Sequence, residues 1–143
     1  MKNRGLLMTL FLLLGALIGS NAQTTNQVNN QQGESISQNK IEVFYFHYER
    51  RCATCMAVEN ESFKALKELY PEKIKTGEII FLSINLEDET NESLIQDLKV
   101  SGQTLLIVKG DQQDNLTNLA FMHARSNPDK LKKAIEKSVN KHL

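Results

Sequence analysis

Two cysteines stand three positions apart in a chain of 143 residues, in the segment Arg51-Cys52-Ala53-Thr54-Cys55. Sulfurs at that spacing can close a disulfide across one turn at the start of a helix. The positive end of a helix favours a thiolate on the first of them. Cys52 is therefore the expected attacking sulfur, and Cys55, one turn in and more covered, the one that resolves a mixed disulfide. Arg50 and Arg51 directly precede the pair and are expected to favour the thiolate further, making the disulfide more oxidising, while Glu49 and Glu59 oppose them. Glu59 lies four residues after Cys55 on the same helical face and could relay the proton that Cys55 must lose, although a solvated helix carboxylate is its plainer reading.

Three chemistries fit such a pair. Redox exchange is favoured, because a bridge closing so short a loop constrains little of the unfolded chain and is a poor staple. The runner-up is a soft metal or metalloid site: His47, five residues before Cys52, could join the two thiolates in a three-ligand set for copper, zinc or arsenite. An inert bridge is the third. The plainer reading of His47 is a strand-end residue with its ring partly covered. Met56 is soft enough for copper but reads better as a core or rim residue, and His123 and His142 have no motif around them.

The elements that would position the pair can be read from hydrophobic periodicity. Residues 41–48, IEVFYFHY, are apolar at nearly every position and predict a central strand covered on both faces. Cys55, Val58, Ser62, Phe63, Leu66 and Leu69 then recur at helical spacing, with Pro71 as an interruption and Gly77 as a stop. Residues 78–86, EIIFLSINL, predict a second strand, followed by a short helix with Leu94, Ile95 and Leu98 inward. Residues 104–108, TLLIV, predict a third strand, Gly110-Asp111 a turn, and a fourth strand is expected within 116–122. Asn127-Pro128 marks a helix start, and Leu131, Ala134, Ile135, Ser138 and Val139 give that helix one apolar stripe. The predicted order is β-α-β-α-β-β-α, an α/β domain with a mixed sheet flanked by helices.

The N-terminus reads as an export signal. Lys2 and Arg4 precede an apolar run over 6–18, and Ser20-Asn21-Ala22 frames a cleavage site, so residues 1–22 are expected to be removed. About 13 apolar-rich residues fall short of the roughly 20 that span a bilayer, so no stable membrane insertion is expected. Residues 23–39, QTTNQVNNQQGESISQN, are too polar to offset their ordering entropy and read as a flexible linker, leaving 40–143 as one domain. Losing Lys2 and Arg4 leaves 15 basic against 17 acidic residues, a formal charge of −2, and no basic surplus points to nucleic acid. The expected location is the periplasm or the exterior, and the expected partner a protein thiol or disulfide.

With these residues in place, 40–143 resembles a thioredoxin domain, and VSGQTLLIVKG at 100–110 resembles the segment that leads into that fold's third strand. FYFHYERRCATCMAVE at 44–59 is similar to small exported bacterial proteins known as the ArsF-type subunit of a nitrophenyl-compound nitroreductase, associated with arsenic resistance. That resemblance implies at most an accessory electron carrier, since the chain has no GxGxxG motif for a flavin or nicotinamide, and no cofactor beyond the cysteine pair is expected. The chain also departs from thioredoxins. Ala53-Thr54 replaces the usual Gly-Pro, Arg51 the usual tryptophan, and Tyr45 or Phe46 falls where those proteins keep a buried acid. Their cis-proline before the third strand is replaced by Gln103, which the resemblance places beside the sulfurs. With no proline ring there, the soft-metal alternative gains.

Overall fold

The computed structural model describes residues 39–143. The expected signal peptide, 1–22, and all but the last residue of the expected linker, 23–39, lie outside them.

Strand β1, Ile41–His47, is the middle of the molecule: its first six residues are buried, Glu42 included. Alternation along a strand sends its side chains to opposite faces. Ile41, Val43 and Tyr45 join a core formed with Val58, Leu66, Leu131, Ile135 and Val139, whereas Phe44 and Phe46 join a second core with Ile84, Leu94 and Leu98. Burying each of these aromatic rings is worth about 2–3 kcal/mol, which explains why a mostly apolar run became the central strand.

Helix α1, Ala53–Leu69, follows directly. Its end is dictated by Pro71, which disfavours helical geometry at the residue before it, and Tyr70 leaves the helix at φ −134 and ψ 51. A short second helix, α2, Pro71–Thr76, takes its proline at the first turn and stops on Gly77 at φ 76, a left-handed position that suits glycine. Phe63, counted above on the inward stripe, is instead 38% exposed and packs on Phe81 across a 5.3 Å ring separation; Ala65 takes the buried place.

Strand β2, Ile79–Asn85, runs parallel to β1 with Tyr45 opposite Ser83 and His47 opposite Asn85. A 3-10 turn, Glu89–Asn91, leads into α3, Glu92–Asp97. Strand β3, Thr104–Lys109, is antiparallel to β1 with Thr104 opposite Phe46, and it brings the segment just before Thr104 to the sheet end where β1 hands over to α1.

The fourth strand is not at 116–122. Strand β4 is Gln112–Asn115, paired antiparallel to β3 around the turn at Gly110, whose φ is 55. Its residues QQDN are polar and mostly exposed, so as an edge strand it carries no apolar signal. The apolar residues that suggested a strand belong mainly to α4, Thr117–His123, with Leu116, Leu119 and Ala120 turned to the core. The last helix, α5, Pro128–His142, begins where Asn127 accepts a bond from the Lys130 amide at 3.3 Å. Its end is held to β4 by Asp114, which accepts from Ser138 at 2.7 Å and Lys141 at 2.7 Å and lies 3.2 Å from His142 Nε2.

The sheet order is β2-β1-β3-β4, with α1, α4 and α5 contributing to the first core and α3 to the second. A parallel pair joined through a helix, closed by an antiparallel hairpin and a terminal helix, is the thioredoxin-like fold. The predicted order β-α-β-α-β-β-α holds once α2 and α4 are added. No helix among the described residues is long and apolar enough to cross a membrane.

Candidate functional site

β1 and α1 set the site between them. The strand's last residues turn through Tyr48, Glu49 and Arg50 into Cys52, which is the N-cap of α1 at φ −85 and ψ 164. Helices begin with amides that lack acceptors inside the helix, and a cap side chain supplies one. Here the cap atom is sulfur: Cys52 Sγ accepts from the Cys55 amide at 3.1 Å. Cys52 and Cys55 are disulfide-bonded, with their Cα atoms 5.1 Å apart. The two sulfurs are unequal, for Cys52 is exposed whereas Cys55 is 3% exposed.

The ground beneath Cys55 is built by Tyr45, named above only as standing where thioredoxins keep a buried acid, and by Ser83, which the sequence did not single out. Tyr45, buried in β1, donates its hydroxyl hydrogen to the Cys55 carbonyl at 2.9 Å. Burial pushes the Tyr45 phenol up to about 12, with the Arg51 charge pulling down and Glu59 pushing up. It stays neutral, and a donor, at any physiological pH. Ser83 reaches the same place because register puts it beside Tyr45 on the same face.

Arg51 and Glu59 meet each other rather than the sulfurs. The Arg51 guanidinium pairs with the Glu59 carboxylate, donates to Ser83 Oγ at 3.2 Å, and stands 5.9 Å from the centre of the Tyr45 ring. Burial pushes the Glu59 carboxyl up, but hydrogen bonds with Ser83 and Arg51 and the nearby charges of Arg51 and His47 outweigh it and hold the group below the usual carboxylate value. Glu59 is thus an engaged anion, neither the solvated carboxylate nor a free base. Arg51 is neutralised by it, so of the two arginines only Arg50, exposed and in no ion pair among the described residues, keeps an uncompensated charge.

His47 ends β1 half-buried, its ring tilted 6.0 Å from that of Tyr45. Nδ1 is 2.9 Å from the Tyr48 carbonyl, which accepts its hydrogen. Among the described residues no group of three or more His, Cys, Asp or Glu side chains is arranged to hold a metal ion, so His47 does not complete a three-ligand set with the sulfurs in this oxidised state. It faces instead a cleft of about 410 Å³ at the ends of β1 and β2, shared with Ser83, Asn85, Asp88 and Asn91. Gln103 lies just before β3, and its buried amide oxygen accepts no hydrogen bond. Tyr48 and Met56, on either side of Cys52 in sequence, are 40% and 46% exposed.

No family model matches the chain, and no curated protein does, so membership of the ArsF-type family is not shown. Solved structures with a similar trace include oxidised thioredoxin O2 of Arabidopsis thaliana, 20% identical, covering 69% of this chain and 75% of that one with a TM-score of 0.49. Spinach chloroplast thioredoxin F is 23% identical over 69% of this chain and 70% of its own, with a TM-score of 0.47. Oxidised mitochondrial thioredoxin 3 of Saccharomyces cerevisiae is 20% identical over 71% and 81%, with a TM-score of 0.44.

Proposed function

We propose that this protein is a thiol-disulfide oxidoreductase or electron carrier whose redox centre is the Cys52–Cys55 pair. The observation that carries the reading is the asymmetry of a closed disulfide at a helix N-terminus, one sulfur open to solvent and the other covered. In the reducing direction the Cys52 thiolate attacks a partner disulfide, forming a mixed disulfide and releasing one partner thiolate. Cys55, having lost its proton, then attacks Cys52 Sγ and releases the second partner thiolate, so two electrons pass to the partner. Run backwards, the same steps oxidise a partner dithiol. Tyr48 and Met56 offer the partner apolar contact around the open sulfur.

The partner in this reading is a protein thiol or disulfide in the periplasm or outside the cell, reached through the export signal at 1–22. The ArsF-type resemblance would make the protein an accessory electron carrier. A mature chain beginning at Gln23, seen by mass spectrometry of native material, supports export; retention of 1–22 in a membrane fraction overturns it. For the chemistry, Cys55→Ser is expected to accumulate mixed disulfides with partners, while Cys52→Ser accumulates none. Equal alkylation of the two thiols at neutral pH in the reduced protein would sink the assignment of roles.

The soft-metal alternative rests on Cys52 and Cys55 in the reduced state, with the unpaired Gln103 oxygen as the observation in its favour. Titration of reduced protein with copper, zinc or arsenite decides it. Binding weakened by Gln103→Pro supports that alternative, and no binding at micromolar metal eliminates it.

A further inference from the structure

We propose that Arg51 is a positioning residue, a strap that ties the loop carrying Cys52 to helix and sheet and so sets how readily the two sulfurs re-form their bond. The inference rests on the exchange reading above and deepens it.

The strap is visible in where the guanidinium goes. Arg51 is the residue immediately before the N-cap, and its side chain makes its bonds to Glu59 on α1 and Ser83 on β2, over the Tyr45 ring of β1. One side chain thus joins the loop to three elements. Side-chain exposures of 23% for Arg51 and 20% for Glu59 mean the pair is sheltered, and sheltered pairs are screened by salt less than surface pairs. Planar guanidinium geometry suits this task, since separate nitrogens serve the carboxylate and the hydroxyl while the central carbon stands over a ring. The other tether of this loop is backbone: the Glu49 amide donates to Glu87 Oε2 at 2.6 Å. Arg50, between the two tethers, is left free.

The consequence follows from what reduction removes. When two glutathione thiols reduce the bridge, two electrons pass to the protein, two cysteine thiols form, and glutathione disulfide is released. The S–S link no longer holds the loop to the helix. What then keeps Cys52 within reach of Cys55 is the cap geometry, the Glu49 tether and the Arg51 strap. A loop held in place gives the sulfurs a high effective concentration and a stable disulfide; a slack loop lowers both.

The sign of the effect separates the strap from a simple tuning charge. Removing a cation that stabilises the Cys52 thiolate destabilises the reduced state and makes the potential more negative. Removing a strap destabilises the oxidised state relative to the reduced one and makes it less negative. Arg50 and Arg51, adjacent and chemically alike, are therefore expected to act in opposite directions.

The experiment is redox equilibration of the full chain in glutathione buffers, read with the pH profile of Cys52 alkylation, for wild type, Arg51→Ala, Glu59→Gln, the double variant, Ser83→Ala and Arg50→Ala. Arg51→Ala and Glu59→Gln are each expected to lower the disulfide formation constant up to tenfold, a rise of at most about 30 mV. The double variant should be no worse than the worse single one, because both cut the same link. Ser83→Ala should shift the constant the same way by less, and it carries the test if Arg51→Ala does not fold. In Arg51→Ala the Cys52 alkylation profile should stay in place. A more negative potential with an alkaline shift of that profile would make Arg51 a tuning charge and overturn the proposal, as would additive single effects or no shift in any strap variant. Glutathione needs no protein partner, so wild type that fails to exchange with protein disulfides would end the proposed function while leaving this measurement intact.

Discussion

Tyr45→Phe removes one oxygen from the base of the site and nothing else. The ring is fully buried in β1 and its hydroxyl lies 2.9 Å from the Cys55 carbonyl in the first turn of α1. Phenylalanine refills the ring volume, so no large cavity is left, and the loss reduces to one neutral hydrogen bond of about 0.5–1.5 kcal/mol. For a domain near 100 residues, 1 kcal/mol moves Tm by roughly 4–8 °C, which a thermal scan of oxidised protein reads easily. A pH series sharpens the test. Burial raises the folded phenol from 10.0 to about 12, so the unfolded chain releases its proton first. The stabilisation is fully present below pH 10 and is lost as pH rises towards 12. Tyr45→Phe has no such proton to lose, so the gap between the two proteins should narrow across that window. A shift under 1 °C at neutral pH would show that the hydroxyl contributes nothing, and a constant gap from pH 9 to 12 would remove the linkage argument.

Glu59 has the opposite sign. Its folded carboxyl is held below the usual value, so its contribution is present above the unfolded pKa of about 4.5 and is lost as pH falls through the lower folded value. Melting temperatures of wild type and Glu59→Gln should therefore converge between pH 6 and pH 3. Arg50→Ala should raise the Cys52 thiol pKa and make the reduction potential more negative, measured by alkylation rate and by glutathione equilibration; no change in either would show that its side chain points away from the sulfur. Lys99 sits in the left-handed region at φ 55, where a side chain costs about 1–2 kcal/mol, so Lys99→Gly should raise stability in urea by roughly 0.5–1 kcal/mol after glycine's unfolded-state entropy is counted.

What the sequence disclosed and what it hid divide along a physical line. β1, β2 and β3 were legible because each is an apolar run bounded by turn residues, and α5 because Asn127-Pro128 is a start signal followed by one stripe. β4 was not, since a mostly exposed edge strand has no reason to be apolar, and its QQDN carries no periodicity. The unequal exposure of Cys52 and Cys55 was legible because the first cysteine falls at the cap before the helix and the second inside its first turn. The pairing of Arg51 was not legible because its partners are eight and 32 residues away, and Ser83 reaches it only through the parallel register of β1 and β2. Sequence spacing reports neighbours within an element. The contacts that decide what a charge does run between elements.

The N-cap adds a floor beneath the effect of Arg50. In the oxidised protein Cys52 Sγ is a neutral bridge sulfur accepting from the Cys55 amide at 3.1 Å. Once reduced and ionised, the same atom becomes an anion at the positive end of a helix of 17 residues, a placement worth about 0.3–1 kcal/mol near a surface. Neutral sulfur accepts hydrogen bonds weakly whereas a thiolate accepts them well, so the cap strengthens on reduction. That gain belongs to the backbone and survives any side-chain change outside the pair. Arg50→Ala can therefore abolish only the salt-sensitive share of thiolate stabilisation, because its charge is exposed and screened over about 10 Å at 0.1 M salt. Alkylation of wild type at rising ionic strength should approach the rate of Arg50→Ala and then level off above the rate of an unperturbed cysteine peptide. A fall all the way to the peptide rate would mean that the helix contributes nothing and that the arginine alone activates Cys52.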